Sequence, residues 1–300
     1  MSSGTASIPV FEQQLLQAQK RLKIAGVADP FEDIKKITEY VTKAQLTIGE
    51  HNQAVLALIE RRINREPLER IFGASEFFGY EFELSEAVYR PCQETETTVE
   101  HALLIAEKFD KPLNILDLGT GSGCMLISLL KKLPNAKGTG VDISLEALDL
   151  AKRNAERNGV SNRVSFIQTD WTSNLNETFD IIISNPPRIP RNLVPKLVRE
   201  VSEYDPSEAL NGGDDGLLFY RRLAEDFRKI AKNDTVCIVQ VGQMLLDQIC
   251  YIFKDESFSG MRIGRDYKYS PNCVIFMNSK EKESVFNKFK IHLIKFFGKK

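Results

Sequence analysis

A loop with a glycine at every second position follows a hydrophobic run in residues 115–123, which read Ile-Leu-Asp-Leu-Gly-Thr-Gly-Ser-Gly. Glycine allows the tight turn that brings backbone amides close to a ligand. The dinucleotide-binding fingerprint G-x-G-x-x-G requires a glycine at position 124, where this chain has Cys124. A G-x-G-x-G loop behind the acidic Asp117 suits a nucleoside that carries an amino acid better than a pyrophosphate. We therefore predict cofactor contacts from Gly119, Thr120, Gly121, Ser122 and Gly123.

Acidic residues also end the next two strand-like runs. Asp142 closes the run Gly-Thr-Gly-Val-Asp, where its carboxylate is placed to accept hydrogen bonds from both hydroxyls of a ribose. Alone, Asp142 could equally be the N-cap of the following helix, but the preceding glycine loop favours the ligand contact. Asp170 can accept from the amino group of an adenine, and Trp171 either offers an aromatic face or caps the core. We predict that Asp142, Asp170 and Trp171 bind the same cofactor.

A fourth strand-like run, the isoleucine-rich residues 181–184, stops at Asn185-Pro186-Pro187 and is followed by Arg188. The carboxyl ends of the strands are where a doubly wound sheet presents its site. Since this run ends like the three before it, we predict that Asn185 also lies beside the cofactor and contacts it.

Strand-like and helix-like segments alternate along the chain from about residue 111. Such alternation predicts an α/β fold with a parallel, doubly wound, Rossmann-like sheet. The predicted strands are 113–119, 138–143, 163–170, 179–185, 235–242 and 273–278. The predicted helices are 124–133, 145–159 and 217–232.

Helices are predicted over residues 11–66, ahead of the alternating segments. Asp29 is the expected N-cap of one helix, with Pro30 at its first position. Apolar residues recur at helical spacing on this helix (Phe31, Ile34, Ile37, Val41) and on a second one (Val55, Leu58, Ile59, Ile63). The alternating aromatic residues 77–84 predict a β-hairpin that turns near Gly79.

The composition argues against several classes of function. Forty basic and 41 acidic residues give a net charge of −1, which disfavours a chain that mainly coats nucleic acid. Five scattered cysteines without a C-x-x-C pair, and three dispersed histidines, predict reduced thiols and no metal site. No apolar run reaches the length of a membrane span, and the N-terminus has no apolar signal core. We expect a monomeric cytoplasmic protein.

The glycine loop, Asp142 and the Asn-Pro-Pro sequence together resemble the class I S-adenosylmethionine-dependent methyltransferases, and Asn-Pro-Pro is typical of those that act on planar nitrogen. Longer segments narrow the resemblance to the HemK/PrmC family, the peptide chain release factor glutamine N5-methyltransferases, over roughly residues 11–278. These segments are 65–91, 94–103, 198–223 and 264–276. The resemblance implies S-adenosylmethionine as cofactor, a seven-stranded sheet, and methyl transfer to the glutamine of a release factor's Gly-Gly-Gln motif.

The family's chemistry assigns roles to the residues after the fourth strand. The side-chain oxygen of Asn185 and the carbonyl of Pro186 would accept the two N–H groups of the acceptor amide, which makes both residues catalytic. These bonds aim the nitrogen lone pair at the sulfonium methyl, so positioning and electrostatics supply most of the catalysis. No general base is needed before transfer. Pro187, Arg188 and Glu94 complete the predicted substrate contacts.

The chain departs from the family's usual residues at a few positions. These are Cys92 and Gln93 (for Arg-Pro), Arg188 (for the tyrosine after Asn-Pro-Pro) and Gln240 (for glutamate). An arginine brings positive charge toward a sulfonium. We expect Arg188 either to turn outward and pair with a carboxylate such as Glu94 or Glu96, or to weaken the activity.

The resemblance also divides the chain into four predicted parts. They are a helical N-terminal substrate-recognition domain (1–70), a β-hairpin linker (71–92), the methyltransferase domain (93–279) and a basic C-terminal extension (280–300). The extension is either a solvent-facing helix or a contact for RNA, a ribosome or a membrane surface.

Alternative functions stay open at this point. A glutamine methyltransferase of similar build could act on a ribosomal protein. A nucleic-acid adenine N6-methyltransferase uses the same Asn-Pro-Pro motif to bind a planar nitrogen. Flipping a base normally calls for a basic groove, which the neutral charge of this chain disfavours. A catalytically weakened homologue could bind the cofactor or a partner without turnover.

Overall fold

The computed structural model describes residues 9–254 and 259–277. The chain forms two compact units. The helical unit contains the described residues up to Ala74 together with Val198–Tyr204, and the sheet unit contains Ser75–Leu197 together with the described residues from Asp205 onward.

The helices and strands that the sequence predicts occur in the predicted order, with further elements between them. The α-helices of the described residues are α1 (Val10–Ile24), α2 (Pro30–Thr42), α3 (Ile48–Ile63), α4 (Leu68–Phe72), α5 (Gln93–Ala106), α6 (Cys124–Lys132), α7 (Leu145–Arg157), α8 (Arg199–Ser202), α9 (Ser207–Leu210), α10 (Leu218–Ile230) and α11 (Leu246–Ile252). The strands are β1 (Ala74–Phe77), β2 (Tyr80–Glu83), β3 (Asn114–Leu118), β4 (Lys137–Asp142), β5 (Val164–Gln168), β6 (Phe179–Ser184), β7 (Ala231–Gln240), β8 (Ser259–Arg265) and β9 (Pro271–Met277).

Local signals in the sequence fix the ends of the N-terminal helices. Asp29 caps α2 by accepting a hydrogen bond from the Glu32 amide, as predicted. Helix α3 begins at Ile48, because Thr47 and Glu50 form a capping box that the sequence analysis did not include. The predicted apolar face of α2 is wrong at one position, since Phe31 in the first turn is 66% exposed.

A segment distant in sequence completes the helical unit. In this segment, which contains α8, the Glu200 carboxylate lies 2.5 Å from the Arg65 guanidinium and 3.4 Å from that of Arg62. Arg62 also pairs with Asp33 at 2.7 Å, and the hydroxyl of Tyr204 donates to the Asn64 carbonyl at 2.9 Å. Residues 198–204 are therefore held to the N-terminal helices by charged and polar contacts.

The sheet unit is built on a mixed seven-stranded sheet with the order β5-β4-β3-β6-β7-β9-β8. The first five strands run parallel, whereas β9 is antiparallel to both β7 and β8. Alternate side chains enter the cores on the two faces, with Ile115 and Ile181 on one side and Leu116 and Ile182 on the other. This explains why the parallel strands read as continuous hydrophobic runs. The predicted seven-stranded Rossmann-like fold is confirmed, but the prediction of a parallel sheet is wrong at β9, which makes the sheet mixed.

Two boundaries of the sheet differ from the prediction. The helix predicted to reach residue 232 ends at Ile230, because Ala231 pairs with Phe179 in the sheet. The periodicity does not predict β8, a strand that carries two glycines and, among the described residues, pairs with β9 alone. The hairpin of β1 and β2 forms as expected, and its turn places both Phe78 and Gly79 at positive φ.

No helix in the described ranges is long and apolar enough to cross a membrane.

Candidate active site

The predicted site residues lie at the carboxyl ends of neighbouring parallel strands, which together form one edge of the sheet. Leu118, the last residue of β3, pairs with Val141 of β4 and with Ser184 of β6. Asp142 in turn pairs with Gln168 of β5. Because these strands are parallel, the glycine loop, Asp142 and the segments that follow β5 and β6 all start from the same edge.

Glycine is required for different reasons at the three alternating positions of the loop. Gly119, Gly121 and Gly123 all have positive φ, at 72°, 54° and 80°. A Cβ atom on Gly119 would meet no atom within 4 Å, whereas one on Gly123 would lie 2.8 Å from Ile127 Cδ1. Gly119 therefore faces open space that a ligand can use, and Gly123 is needed for packing.

Most polar groups of the loop bind the protein itself. The amides of Gly119 and Thr120 both donate to the Val141 carbonyl, at 3.0 and 2.9 Å. Thr120 and Ser122 are buried, and the Ser122 carbonyl accepts from the side chain of Asn154. The predicted ligand contacts of Thr120 and Ser122 stay predictions, while their internal roles are evident.

The Asp142 carboxylate is held by two backbone amides. One oxygen accepts from Gly121 at 2.9 Å and the other from Ser144 at 3.1 Å. The N-cap of α7 is Ser144, whose hydroxyl accepts from the Ala147 amide, so the alternative that Asp142 caps this helix is wrong. Each carboxylate oxygen keeps a lone pair for a ligand hydroxyl.

Asp117 is a site residue that our sequence prediction did not include. It is fully buried, its Oδ2 accepts from the Thr120 hydroxyl at 2.8 Å, and its Oδ1 has no partner among the described residues. Burial, and then the nearby Asp142 carboxylate, raise the pKa of Asp117 to about 7. The signal was present in the sequence as an acidic residue inside a strand directly before the glycine loop.

Asp170 and Trp171 differ in their surroundings. Asp170 has an exposed side chain and pairs with Arg222 at 2.8 Å. Trp171 has a φ of 61° and is buried, with its ring 5.0 Å from that of Phe219. The structure thus accounts for Trp171 as a core residue, and its contact with a cofactor stays a prediction.

The side chain of Asn185 has a partner at each end. Its Nδ2 donates to Thr95 Oγ1 at 3.2 Å, and its Oδ1 accepts from Arg188 Nη1 at 2.6 Å. Asn185 is half-buried and Pro186 is buried. One lone pair of the Asn185 oxygen is therefore occupied by a cation, and the other is available for an acceptor N–H.

Arg188 donates to Asn185 rather than turning outward to a carboxylate, so the first of the two expected alternatives is wrong, and the second, a weakened activity, stays a prediction. One of the two expected partners, Glu96, instead accepts from the Phe78 amide at 2.6 Å, and Glu94 is exposed. Gly242 lies beside the arginine, since a Cβ there would make an ordinary van der Waals contact with Arg188 Cδ at 3.6 Å.

The backbone around Arg188 is fixed by a second strand-like segment. Ile189 donates to the Leu210 carbonyl at 2.9 Å and accepts from the Gly212 amide at 2.8 Å. A Cβ on Gly212 would lie 2.8 Å from Arg188 Cα, and one on Gly216 would lie 2.5 Å from its carbonyl oxygen. The glycines of residues 212–216 thus allow a close approach that holds the loop after Asn185 in one conformation.

The other two departures from the family pattern lie behind Asn185. Gln240, at the end of β7, is buried and its Oε1 accepts from the Thr95 hydroxyl at 3.0 Å. The Cys92 sulfur lies 3.1 Å from the same hydroxyl, and burial raises the pKa of this thiol. Neither residue carries a charge into the site at neutral pH.

Comparisons with known proteins agree with this geometry. A family model described as "Methyltransferase small domain" matches residues 99–201. A release factor glutamine methyltransferase of Agrobacterium fabrum is 39% identical over 277 residues, which are 88% of this chain and 96% of that protein. A bifunctional methyltransferase of Rickettsia bellii is 36% identical over 249 residues, which are 74% of this chain but only 45% of that protein.

A solved structure shares the fold at low sequence identity. The crystal structure of the hMettl16 catalytic domain in complex with MAT2A 3′UTR hairpin 6 matches with a TM-score of 0.53 and 14% identity. The match covers 76% of this chain and 81% of that one. It supports the fold of the sheet and nothing about the acceptor.

Proposed function

Because this chain belongs to the release factor glutamine methyltransferase family, we propose that it methylates the side-chain amide of the glutamine in the Gly-Gly-Gln motif of a release factor. The methyl donor is S-adenosylmethionine, and the chain is a methyltransferase. The observation that carries the proposal is the pairing of Leu118 with Ser184 in the sheet. Because Gly119 and Asn185 directly follow these two residues, the glycine loop and Asn185 begin side by side.

The residues at this edge fit a cofactor that joins a nucleoside to a cationic amino acid. Asp117 Oδ1 is buried without a partner among the described residues, and an ammonium group would satisfy it. Gly119 borders open space, and Asp142 retains acceptor capacity for ribose hydroxyls. When bound, S-adenosylmethionine would supply an electrophilic methyl group on a sulfonium. Asp170, Trp171 and Asn185 complete the set of proposed cofactor contacts.

The protein's own contribution is to place a weak nucleophile. The lone pair of an amide nitrogen is delocalised into its carbonyl, so orientation matters more than proton removal. The free lone pair of Asn185 Oδ1 and the carbonyl of Pro186 would each accept one N–H of the glutamine amide and direct the nitrogen toward the methyl. Glu94, Pro187 and Arg188 are proposed to border the acceptor.

The helical unit is proposed to recognise the partner protein. In the described residues a set of its apolar side chains, among them Leu22, Ile37 and Val55, forms the unit's own core, and its charged groups form no catalytic cluster. We propose residues 1–70 as the substrate-recognition domain, 71–92 as linker and 93–279 as catalytic domain. The proposed RNA or ribosome contact of residues 280–300 lies outside the described residues.

A tritium-transfer assay against a panel of acceptors tests the proposal. The panel contains a release factor, the same factor with the Gly-Gly-Gln glutamine replaced by alanine, a ribosomal protein and DNA. We expect label in the first acceptor alone. Label in the ribosomal protein or the DNA, with none in the release factor, would replace the proposed function by one of those alternatives.

A further inference from the structure

Three polar side chains converge on the hydroxyl of Thr95, in the first turn of α5. Thr95 is 3% exposed. Its Oγ1 lies 3.0 Å from Gln240 Oε1, 3.2 Å from Asn185 Nδ2 and 3.1 Å from Cys92 Sγ. Since Asn185 follows β6 and Gln240 ends the neighbouring β7, one hydroxyl joins the ends of two adjacent strands.

The chemistry of the three partners settles which atom donates. The Asn185 Nδ2 group can only donate, and Gln240 Oε1 can only accept, so Thr95 accepts from the first and donates to the second. The hydroxyl then has one lone pair left and no proton, so its contact with the Cys92 sulfur is a hydrogen bond only with the thiol as donor. Burial raises the pKa of Cys92, which keeps its proton available. Every donor and acceptor position of Thr95 is filled.

This arrangement fixes the direction of the Asn185 amide. With the nitrogen held inward by Thr95, the oxygen points the other way, where Arg188 donates to it. A flipped amide would put its N–H groups against the arginine, which cannot accept. It would also give Thr95 a second acceptor oxygen for its one proton. The carbonyl oxygen of Asn185 therefore faces the acceptor side in one orientation.

We propose that Thr95 is a positioning residue for methyl transfer, which holds Asn185 with its side-chain oxygen toward the acceptor amide. The inference rests on the proposed function, because it assumes that this oxygen receives the acceptor N–H. Thr95 is buried, so we assign it no direct contact with the acceptor or the cofactor. Its effect passes through Asn185, and Gln240 and Cys92 hold the hydroxyl in turn.

Two substitutions of Thr95 and one matched control separate positioning from simple packing. Thr95→Val keeps the shape and removes the hydroxyl, whereas Thr95→Ser keeps the hydroxyl and removes the methyl group. Thr98→Val removes another buried hydroxyl of α5, which contacts Asn272 and not Asn185. For each protein we would measure kcat and KM with a release factor, and the cofactor Kd by calorimetry.

We expect Thr95→Val to lower kcat about tenfold, the rate equivalent of one hydrogen bond, with KM and cofactor Kd within about twofold of the parent values. Thr95→Ser and Thr98→Val should keep kcat within about threefold. An unchanged kcat in Thr95→Val would overturn the proposal. An equal loss in Thr95→Ser would also overturn it, because the hydroxyl would then not be the cause.

A readout independent of activity separates this inference from the proposed function. The side-chain amide protons of Asn185, assigned in ¹⁵N spectra by their absence in Asn185→Ala, report the bond to Thr95. In Thr95→Val the bonded proton should move upfield and exchange faster with water. If the parent fails to methylate any release factor, the proposed function fails, and this signal still decides whether Thr95 holds Asn185. An unchanged signal would overturn the inference.

Discussion

The amide of Asn185 is shared between a neutral hydroxyl and a cation. Thr95 holds its nitrogen, and Arg188 occupies one lone pair of its oxygen. A cation draws electron density from that oxygen and leaves it one lone pair for an acceptor N–H. Because Thr95 also opposes a flipped amide, the orientation of Asn185 is expected to survive the loss of Arg188. Arg188 is therefore the residue most expected to limit the rate.

Replacing Arg188 by tyrosine should raise the transfer rate about three- to tenfold. The substitution removes a positive charge from the sulfonium's surroundings. Two unit charges some 6–8 Å apart repel by roughly 2–3 kcal/mol at an effective dielectric of about 20, and partial solvation reduces this further. The rate is measured on a release factor at saturating cofactor. The control is Arg191→Tyr, which changes an exposed arginine of the same loop. If Arg188→Tyr is no faster than the parent, Arg188 is a competent part of the site.

Asp117 should make cofactor affinity depend on pH near neutrality. Its pKa is raised to about 7, mainly by burial, so its contribution to the stability of the free protein falls as pH rises from about 4 to about 7. A bound ammonium favours the ionised carboxylate, so affinity should rise about fivefold between about pH 6 and pH 7.5. Calorimetry at the two pH values measures this. Asp117→Asn should lose the dependence, and a parent protein without it would refute the assignment of Asp117 to the cofactor.

At the scale of elements, hydrophobic alternation and glycine spacing predict most of the site. They predict β3 to β6 and place Gly119, Asp142 and Asn185 after strand ends. They do not predict the Thr95 network, because its partners lie far apart in sequence and meet only once β6 and β7 pair. The inward position of Arg188 is missed for a similar reason, since its backbone depends on the close approach of Gly212 and Gly216, which are distant in sequence.

Two glycines of the same loop should respond differently to alanine. Gly123→Ala forces a Cβ to 2.8 Å from Ile127 and 3.3 Å from Ala151 at a positive φ, which should lower the free energy of unfolding by about 2–4 kcal/mol. Gly119→Ala meets no neighbour and should cost only about 1–2 kcal/mol of backbone strain. Its Cβ enters the open space, so it should weaken cofactor binding beyond its effect on stability. Denaturation curves measure the stability of both variants, and calorimetry measures their cofactor affinity. A larger loss of stability in Gly119→Ala, or a larger loss of affinity in Gly123→Ala, would contradict this.

At the scale of the whole molecule, the helical unit includes a segment that no local pattern assigns to it. The loop that starts at Asn185 runs on into residues 198–204, which belong to the helical unit through Glu200. Burial raises the pKa of Glu200, but Arg65 and Arg62 outweigh it and hold the pKa below its ordinary value. The stability from these pairs is present above that ordinary value and is lost as pH falls through the lowered pKa.

Glu200→Gln should reduce methylation of a whole release factor more than methylation of a short Gly-Gly-Gln peptide. It weakens the attachment of residues 198–204 without touching the cofactor residues. We expect a loss of about five- to tenfold in kcat/KM for the protein, as for one charged hydrogen bond in a half-buried site, and unchanged cofactor affinity. Glu203→Gln, which loses only an exposed pair with Arg199, is the matched control. Equal losses on protein and peptide would argue against a role of this segment in partner recognition.

Mapping of the methyl group by fragmentation mass spectrometry is the most direct test of the central claim. A release factor is incubated with S-adenosylmethionine and either the parent protein or Asn185→Ala, whose cofactor affinity is checked by calorimetry. The account predicts one methyl group on the side-chain nitrogen of the Gly-Gly-Gln glutamine. With Asn185→Ala, the rate should be roughly 10²–10³-fold lower, as for the loss of one preorganised acceptor. A methyl group on any other residue, or an undiminished rate in Asn185→Ala, would contradict the account.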